Sequence, residues 1–328
     1  MPKHIIRVLQ ILGSLSLIAL VLYKSDLFST QGRVELAEYL ANANISWLFA
    51  AVLIGFVVNM SSALKWAMLA WVRGLHASYW RFFSYYLIGQ FYNLILPTSV
   101  GGDFVRSYEL GKYTDNQADS LASVFVERYT GVLVLLVVSG LAVLSQLSIF
   151  SVYFVLISLL IFTLGLGFIA WMIFDPRLYL FCKQLISSKF EFTEPIFSKL
   201  DKLLASVQVY GNHRAALVWA FVNSFVFYFL AVLNVYITAR VFHLDVSFID
   251  MLIATPIIML IMNIPISMGN WGLMEGAYLG IFQLLGYNPI LGLSVALLMR
   301  LKSLLDGAAG GVLHPLMARG KIVSGKYQ

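Results

Sequence analysis

The chain has few charged residues and almost no cysteine. Only 12% of its 328 residues are Asp, Glu, Lys or Arg, whereas 60% are hydrophobic, and the mean hydropathy is +0.84. A soluble globule of this size cannot bury so much apolar surface, so lipid must be its solvent. The single cysteine, Cys182, excludes an internal disulfide, and no Cys/His cluster indicates a metal. Redox chemistry, metal chemistry and most enzymes that work in water are therefore excluded, and we expect no cofactor.

In place of charged residues and cysteines, the chain contains apolar runs of transmembrane length, which recur from residue 5 to residue 313. A helix needs about 20 such residues to cross a hydrocarbon core of about 30 Å. The sequence predicts an all-α polytopic membrane protein that forms one transmembrane domain over residues 1–328. Six full spans are predicted, near residues 5–23, 46–64, 120–145, 152–174, 215–238 and 290–313.

Two further apolar segments, 82–110 and 249–287, do not fit the pattern of a full span. Each is interrupted near its middle by proline, glycine and polar residues, which leaves two short arms. The interrupting residues are Pro97, Ser99, Gly101, Gly102 and Asp103 in the first segment, and Pro265, Ser267, Gly269, Asn270 and Gly272 in the second.

The positions of Lys and Arg decide how these segments are threaded. Positive charge concentrates at both termini and in the loops 65–81 and 175–214, which predicts that all four lie in the cytoplasm of a bacterial-type inner membrane. The same pattern explains the net charge of +6 without a nucleic-acid partner. Segment 82–110 must then begin and end inside, and segment 249–287 outside. Both are predicted to be re-entrant hairpins, and they enter from opposite faces.

The chain therefore has the order span, span, inside hairpin, span, and then span, span, outside hairpin, span. This order describes an inverted repeat, with halves at about 1–147 and 148–316, as in many secondary transporters. Two spacings support it. The pattern Pro97-x-Ser99-x-Gly101 recurs 168 residues later as Pro265-x-Ser267-x-Gly269. Arg128 and Arg300 are 172 residues apart, and each lies about ten residues into the helix that follows a hairpin.

The hairpin tips are predicted to mark a binding cavity. Backbone groups left unpaired at membrane depth are tolerated only where protein or a water-filled cavity satisfies them. Gly101, Gly102, Gly269 and Gly272 permit positive φ and close approach, and the exposed N–H groups suit phosphate oxygens. The alternative is a tight turn packed in protein with no ligand.

Arg128 and Arg300 are the leading candidates for headgroup ligands. A lipid-facing Arg at this depth would cost at least about 3 kcal/mol, so both are predicted to face the interior. The planar guanidinium also suits phosphate. Alternatively their partners are structural. Arg128 could pair with Glu127, Glu275 or Asp103, and Arg300 or Lys302 could pair with Asp306.

Polar residues around the tips complete the candidate site for a membrane lipid with an anionic headgroup. A carboxylate there could carry a coupling proton or act as an N-cap or first-turn acid, and the second reading is preferred for Asp103. Asn93 is expected to satisfy broken backbone. The full candidate set is Asn93, Ser99, Gly101, Gly102, Asp103, Arg106, Glu127, Arg128, Ser267, Gly269, Asn270, Glu275 and Arg300.

The basic loop 175–214 contains apolar residues at helical spacing with lysines between them. This pattern predicts an amphipathic helix that lies on anionic lipid, or alternatively a helix covered by the protein. The apolar positions are Ile196, Phe197, Leu200, Leu203, Leu204 and Val207, and the lysines are Lys199 and Lys202.

Three blocks together resemble the flippase-like transmembrane domain of the lysylphosphatidylglycerol synthase family. They are Asn93-Leu-Ile-Leu-Pro97-Thr-Ser-Val-Gly-Gly-Asp103-Phe-Val-Arg106, Glu127-Arg128-x-x-Gly131, and Pro265-x-Ser267-x-Gly269-Asn270-x-Gly272-x-x-Glu275-Gly276. The resemblance implies movement of a phospholipid or lipid-linked headgroup between leaflets. In bifunctional members a soluble domain follows that aminoacylates phosphatidylglycerol. This chain ends at Gln328 without it, so we do not expect synthase activity.

Three functions follow from these observations. The first is lipid translocation, passive or coupled to an ion gradient because no nucleotide-binding motif is present. The second is an intramembrane transferase that uses Glu127, Glu275 or Asp103 as its acid or base. The third is a non-transporting partner of a lipid-synthesis enzyme. The sequence specifies no oligomeric state.

Overall fold

The protein is helical throughout the residues that the computed structural model describes, which are 3–24, 29–96, 101–145, 160, 163–164, 167, 180, 194–243, 245–264 and 266–323. No strand occurs in these ranges, in agreement with the all-α prediction. The helices are α1 (Lys3–Lys24), α2 (Thr30–Ala41), α3 (Ile45–Val72), α4 (Tyr79–Ile95), α5 (Gly101–Thr114), α6 (Gln117–Leu144), α7 (Glu194–Gln208), α8 (Arg214–Arg240), α9 (Phe248–Met262), α10 (Leu273–Leu284) and α11 (Pro289–Val323).

Three helices, α3, α6 and α8, are long and apolar enough to cross a membrane. With α1 and the 35-residue α11 they cover five of the predicted spans. Helix α11 differs from the three because Arg300, Lys302 and Asp306 interrupt its apolar sequence. The sixth predicted span, 152–174, lies outside the described ranges apart from a few single residues.

Helix α8 is apolar on the outside and polar on the inside. Val218 and Trp219 are exposed, whereas Ser224, Asn234 and Thr238 are buried. The buried hydroxyls of Ser224 and Thr238 donate to backbone oxygens one turn earlier, which satisfies them within the helix. An exposed apolar face around buried polar groups is expected of a helix whose surroundings are lipid.

Both interrupted segments are pairs of short helices separated by a break. In the first pair, α4 ends at Ile95 and α5 begins at Gly101. In the second pair, α9 ends at Met262, α10 begins at Leu273, and a 3₁₀ turn (Met268–Asn270) lies between them. Both breaks occur where the sequence predicted them. Residues 97–100 and 265 are outside the described ranges, and so is the candidate residue Ser99.

The chain divides into two compact units. Unit 1 contains Met1–Ser61, Phe83–Arg106 and Val226–Gln328, so it holds both helix breaks. Unit 2 contains Ser62–Phe82 and Ser107–Phe225. The two repeat halves, about 1–147 and 148–316, stay a prediction.

In unit 2, the end of α7 packs against other helices of the protein. Val207 and the following Tyr210 are buried in one cluster with Leu69, Ala122 and Val126. Leu203 and Leu204 pack on the same cluster. For this part of the loop the alternative of a protein-covered helix is therefore the observed one. Of the described apolar positions only Leu200 is exposed, and Lys202 is exposed as well. The side chains of Ile196, Phe197 and Lys199 lie outside the described part of the chain.

Helix α2 was not predicted. It begins after Ser29, whose Oγ accepts a hydrogen bond from Gly32 N–H at 3.0 Å, and it ends at Ala41, before the capping residue Asn42. Its apolar residues are too few for a span, so hydropathy alone does not reveal it. The sequence signal that could have revealed this helix is the capping serine followed by good helix formers.

Candidate functional site

Arg300 is hydrogen-bonded to several groups at the second break, which lies between α9 and α10 in unit 1. It lies about one third of the way along the 35-residue helix α11 and is only 5% exposed. Its Nε donates to Glu275 Oε1 at 2.9 Å, and its Nη2 donates to Glu275 Oε2 at 3.2 Å. The same guanidinium donates to the Gly269 and Asn270 carbonyl oxygens at 2.9 and 2.8 Å. One side chain thus satisfies two carbonyls that the break leaves without helical partners.

The break between α9 and α10 contains backbone that turns in the left-handed region. Gly269, Asn270 and Gly272 have φ of 57°, 57° and 78°. Glu275, in the first turn of α10, accepts the Gly272 N–H at 2.8 Å and thereby caps the helix that follows. Gly269 and Gly272 therefore allow the chain to turn tightly between the two helices.

Two polar oxygens at this break are buried without a hydrogen-bond partner. Among the described residues, the Ser267 hydroxyl and the Asn270 side-chain oxygen meet no donor or acceptor. Ser267 is 4% exposed. A buried polar group normally has a partner, so these two atoms mark a place where a polar ligand or water would be accommodated.

The first break is closed by an asparagine and a glycine contact. Asn93 Oδ1 accepts the Gly102 N–H at 2.8 Å, which confirms that Asn93 satisfies broken backbone. A methyl group on Gly102 would collide with the Gly89 carbonyl oxygen. The α4 and α5 backbones therefore approach each other as closely as glycine allows.

A second buried ion pair lies just after the first break. Asp103 is in the first turn of α5, as predicted, and its Oδ1 accepts from Arg106 Nε at 3.0 Å and Nη2 at 2.9 Å. Arg106 is among the most deeply buried large side chains, and its guanidinium lies 5.4 Å from the centre of the Tyr86 ring. Each break is therefore followed by an arginine neutralised by a carboxylate.

The two breaks lie next to each other within unit 1. A Cβ placed on Gly269 would be 3.4 Å from the Leu94 carbonyl oxygen, in the last turn of α4. Helix α11 approaches the same stretch of α4, because Gly307 faces Leu94 and Gly310 faces the Leu87 carbonyl. The broken segments are thus neighbours, with α11 against both.

Lys302 forms a polar cluster that sequence reasoning missed. Its Nζ donates to Asn234 Oδ1 at 2.6 Å, Thr238 Oγ1 at 2.7 Å and the Ala51 carbonyl at 3.3 Å. Asp306 was expected to pair with Lys302 or Arg300, but its carboxylate accepts from Asn59 Nδ2 at 2.7 Å. Asn234 and Thr238, spaced i and i+4 in apolar α8, are the sequence signal that could have located this cluster.

Glu127 and Arg128 belong to unit 2. Glu127 is buried and lies 3.7 Å from Lys65 Nζ, which also donates to Ser224 Oγ at 3.1 Å. Arg128 is exposed, contrary to the expectation that it faces the interior like Arg300. The helix turns about 100° per residue, so Glu127 occupies the inward position and Arg128 does not. The predicted pairings of Arg128 with Glu127, Glu275 or Asp103 stay predictions.

Arg300 can pair fully with an anion only by exchange. Glu275 already neutralises it, and four of its five N–H donors bind Glu275, Gly269 and Asn270, so a phosphate that took two donors would have to replace the carboxylate or a carbonyl. Within the described part of the chain, no cluster of three or more His, Cys, Asp or Glu residues could hold a metal.

Comparison with known proteins agrees with the membrane architecture. A UPF0104 membrane protein from Methanothermobacter thermautotrophicus (strain Delta H) is 23% identical over 326 residues, which cover 94% of each chain. No solved structure matches this chain. The family model described as the lysylphosphatidylglycerol synthase TM region matches residues 7–310. This chain is therefore a membrane protein that belongs to the family of lysylphosphatidylglycerol synthase transmembrane regions.

Proposed function

We propose that this protein moves a phospholipid, or a lipid-linked anionic headgroup, between the two leaflets without changing it chemically. One observation carries the proposal. Unit 1 places two helix breaks beside each other, and each break is followed by a buried arginine paired with a carboxylate. Buried charge and irregular backbone together are what substrate sites of membrane transporters are built from.

The re-entrant path of both segments belongs to this proposal. The arms α4, α5, α9 and α10 have 17, 14, 15 and 12 residues. At 1.5 Å per residue they are about 18 to 26 Å long, less than the about 30 Å of hydrocarbon. An arm of this length reaches the bilayer interior and turns back more readily than it crosses.

We further propose the inner-membrane topology of the sequence prediction, with six spans, cytoplasmic termini and an inverted repeat. A new spacing supports the repeat. Lys65 on α3 bonds to α6, and Asn234 on α8 bonds to Lys302 on α11. Lys65 and Asn234 are 169 residues apart, close to the 168 and 172 of the sequence repeats. A buried lysine therefore links the corresponding pair of helices in each half.

In the proposed cycle, the headgroup enters at the breaks while the acyl chains stay in lipid. Ser267 and Asn270 offer the headgroup polar atoms that nothing in the described protein occupies. Arg300 supplies positive charge when Glu275 releases it to a phosphate oxygen. When the site is empty the carboxylate returns, so that no guanidinium is left buried and unpaired.

Translocation is tested in proteoliposomes that carry a fluorescent anionic phospholipid, with dithionite reporting the outer leaflet. The double variant Ser267→Ala and Asn270→Gly removes the two oxygens without breaking a hydrogen bond, and glycine tolerates the φ of 57° at position 270, so we expect the fold to survive and the rate to fall at least tenfold. The matched control is Ser61→Ala with Thr255→Val, which removes two other buried hydroxyls that lack a partner among the described residues. The control should translocate normally.

Two results contradict this function. If the wild-type protein leaves the labelled lipid in its original leaflet, there is no translocation. If thin-layer analysis of the recovered lipid shows a new species, the protein is an enzyme, because a transporter alters only sidedness.

The topology is tested by cysteine labelling in a Cys182→Ser background. Lys112→Cys and Leu200→Cys should react only from the cytoplasmic side, and Asp245→Cys only from the outside. All three positions are exposed. Labelling of positions 112 and 200 from different faces would exclude the first re-entrant hairpin.

A further inference from the structure

Lys302 carries a positive charge into the interior of a membrane helix without an ion-pair partner. Its side chain is 7% exposed and lies between α11, α3 and α8 of unit 1. Within the described residues no carboxylate oxygen comes within ion-pair distance of its Nζ. An ionisable group in such a position is costly, and in membrane proteins it commonly marks a proton pathway or a substrate site.

Among the described residues, three neutral groups accept hydrogen bonds from Lys302. They are an amide oxygen of Asn234, a hydroxyl of Thr238 and the carbonyl of Ala51. An ammonium has three N–H donors, so each donor has one acceptor. The charged form of the side chain is therefore fully hydrogen-bonded where it stands.

The same ligands can also satisfy a neutral amine. The Thr238 hydroxyl donates to the Asn234 carbonyl at 2.6 Å while it accepts from Lys302. A hydroxyl rotates freely about its C–O bond, so it can turn and donate to the amine lone pair when a proton leaves. The two remaining N–H donors keep the Asn234 and Ala51 oxygens. Both protonation states thus fit one arrangement of heavy atoms.

The charged groups around Lys302 are few. On α11, Asp306 lies one turn further on and binds Asn59 of α3, and Arg300 lies half a turn earlier and binds Glu275. From α3 and α8 the groups in contact are the Ala51 carbonyl and the side chains of Asn234 and Thr238, none of which titrates. Asp306 is therefore the charge that would stabilise the ammonium without touching it.

We propose that Lys302 Nζ is a proton-binding site that takes up and releases one proton in exchange with water. The step is the reversible addition of H⁺ to the amine, with no other bond made or broken. Its use as the coupling site between a proton gradient and lipid movement rests on the proposed function. Lys302 and Arg300 lie two residues apart on the same helix α11, so a shift of this helix on proton exchange would move both side chains.

Lys65 is the matched comparison within the same protein. Lys65 is 5% exposed and Lys302 is 7% exposed, so the two are buried to nearly the same degree. A Glu127 carboxylate oxygen, however, lies 3.7 Å from Lys65 Nζ. A carboxylate at that distance favours the charged form of the amine. Lys65 is thus expected to hold its proton where Lys302 exchanges it.

The site is tested by NMR of the full chain in detergent micelles, with ¹⁵N-labelled lysine and pH varied from mildly acidic to mildly alkaline. The Lys302 signal should move by the full ammonium-to-amine difference, and the Lys65 signal should not move. Lys302→Arg and Lys65→Arg assign the two signals by their loss. If Lys302→Arg fails to fold, Asn234→Ala keeps the lysine and displaces the Lys302 signal alone. A Lys302 signal that stays ammonium throughout would overturn the proposal.

A second measurement separates this inference from translocation itself. In proteoliposomes with a pH gradient, wild-type protein should accumulate labelled lipid in one leaflet. Lys302→Gln should only equilibrate the leaflets, at a rate that no longer depends on the gradient. If Lys302 titrates but no lipid moves, the proton site is supported and the translocation proposal fails. If lipid moves and Lys302→Gln still responds to the gradient, the coupling role is overturned.

Discussion

Arg300 and Glu275 are joined at two points, Nε to Oε1 and Nη2 to Oε2, although 25 residues separate them in the chain. The pair links α11 to the first turn of α10. The guanidinium carbon of Arg300, Cζ, lies 4.6 Å from the centre of the Trp271 ring, which adds a cation–π contact. The α9–α10 break is thus held by α11, the helix that follows α10 in the chain.

We expect Glu275→Gln to destabilise the protein strongly. It leaves a buried guanidinium without its counter-charge, and breaking one side of such a pair costs about 3–5 kcal/mol. The measurement is the thermal unfolding midpoint in detergent. Asp245→Asn is the control, because Asp245 pairs with Arg240 at 3.0 Å but its side chain is 98% exposed. Equal midpoints for the two variants would contradict a structural role for the Arg300–Glu275 pair.

Glycine is required where two helix backbones meet. A methyl at Gly310 would collide with the Leu87 carbonyl of α4, so Gly310→Ala should force the helices apart. Overpacking of this kind costs about 1–3 kcal/mol. Gly280→Ala is the control in α10, because its Cβ meets nothing within 4 Å. It should raise the unfolding midpoint slightly, since alanine is the better helix former by up to about 1 kcal/mol.

Gly272 combines positive φ with close packing, and the two effects can be separated. Gly272→Ala strains the backbone at φ 78° and brings a methyl to 2.7 Å from Leu17 Cβ of α1. Gly286 also has positive φ, 86°, but its Cβ would meet nothing within 4 Å. Gly286→Ala should therefore cost only the left-handed strain, about 1–2 kcal/mol. A larger fall in the unfolding midpoint for Gly272→Ala measures the α1 contact, and equal falls would show that this contact yields freely.

Hydropathy and breaker residues predicted the helices and both breaks because their physical causes are local. A run of apolar residues needs lipid, and a cluster of Pro, Gly and polar residues favours a break. Single prolines did not have this effect, because Pro256 lies inside α9 and Pro315 inside α11. Helix α2 was not predicted because it has neither a long apolar run nor a cluster of breaker residues, and its start depends on the Ser29 cap.

The partners of the buried charges could not be predicted in the same way. Glu275 lies 25 residues from Arg300, and Asn59 lies 247 residues from Asp306, so only the packing of the helices decides these pairs. The nearest opposite charge in sequence, Asp306 beside Lys302, gave the wrong pair. Arg128 was misjudged for a related reason: a difference of one residue on a helix separates the buried Glu127 from an exposed position.

Tyr210 gives a prediction outside the membrane-spanning helices, in the 3₁₀ turn (Val209–Asn212) that follows α7. Its hydroxyl donates to the Leu69 carbonyl at 2.9 Å, and burial raises the pKa of the Tyr210 hydroxyl above its ordinary value of 10.0. The folded state therefore keeps this proton at a pH where the unfolded chain loses it. The stability from this group is fully present below pH 10.0 and declines as the pH rises from there towards the folded pKa.

Tyr210→Phe should accordingly have two effects. At neutral pH it removes one hydrogen bond and leaves the Leu69 carbonyl without this donor, which costs about 1 kcal/mol. At alkaline pH the difference in unfolding midpoint between wild type and variant should shrink, because the variant has no hydroxyl to ionise on unfolding. Tyr23→Phe, at an exposed ring, serves as the control for tyrosine replacement as such. A difference that stays constant as the pH rises would show that the Tyr210 hydroxyl ionises equally in both states, and so that the end of α7 does not shield it from water.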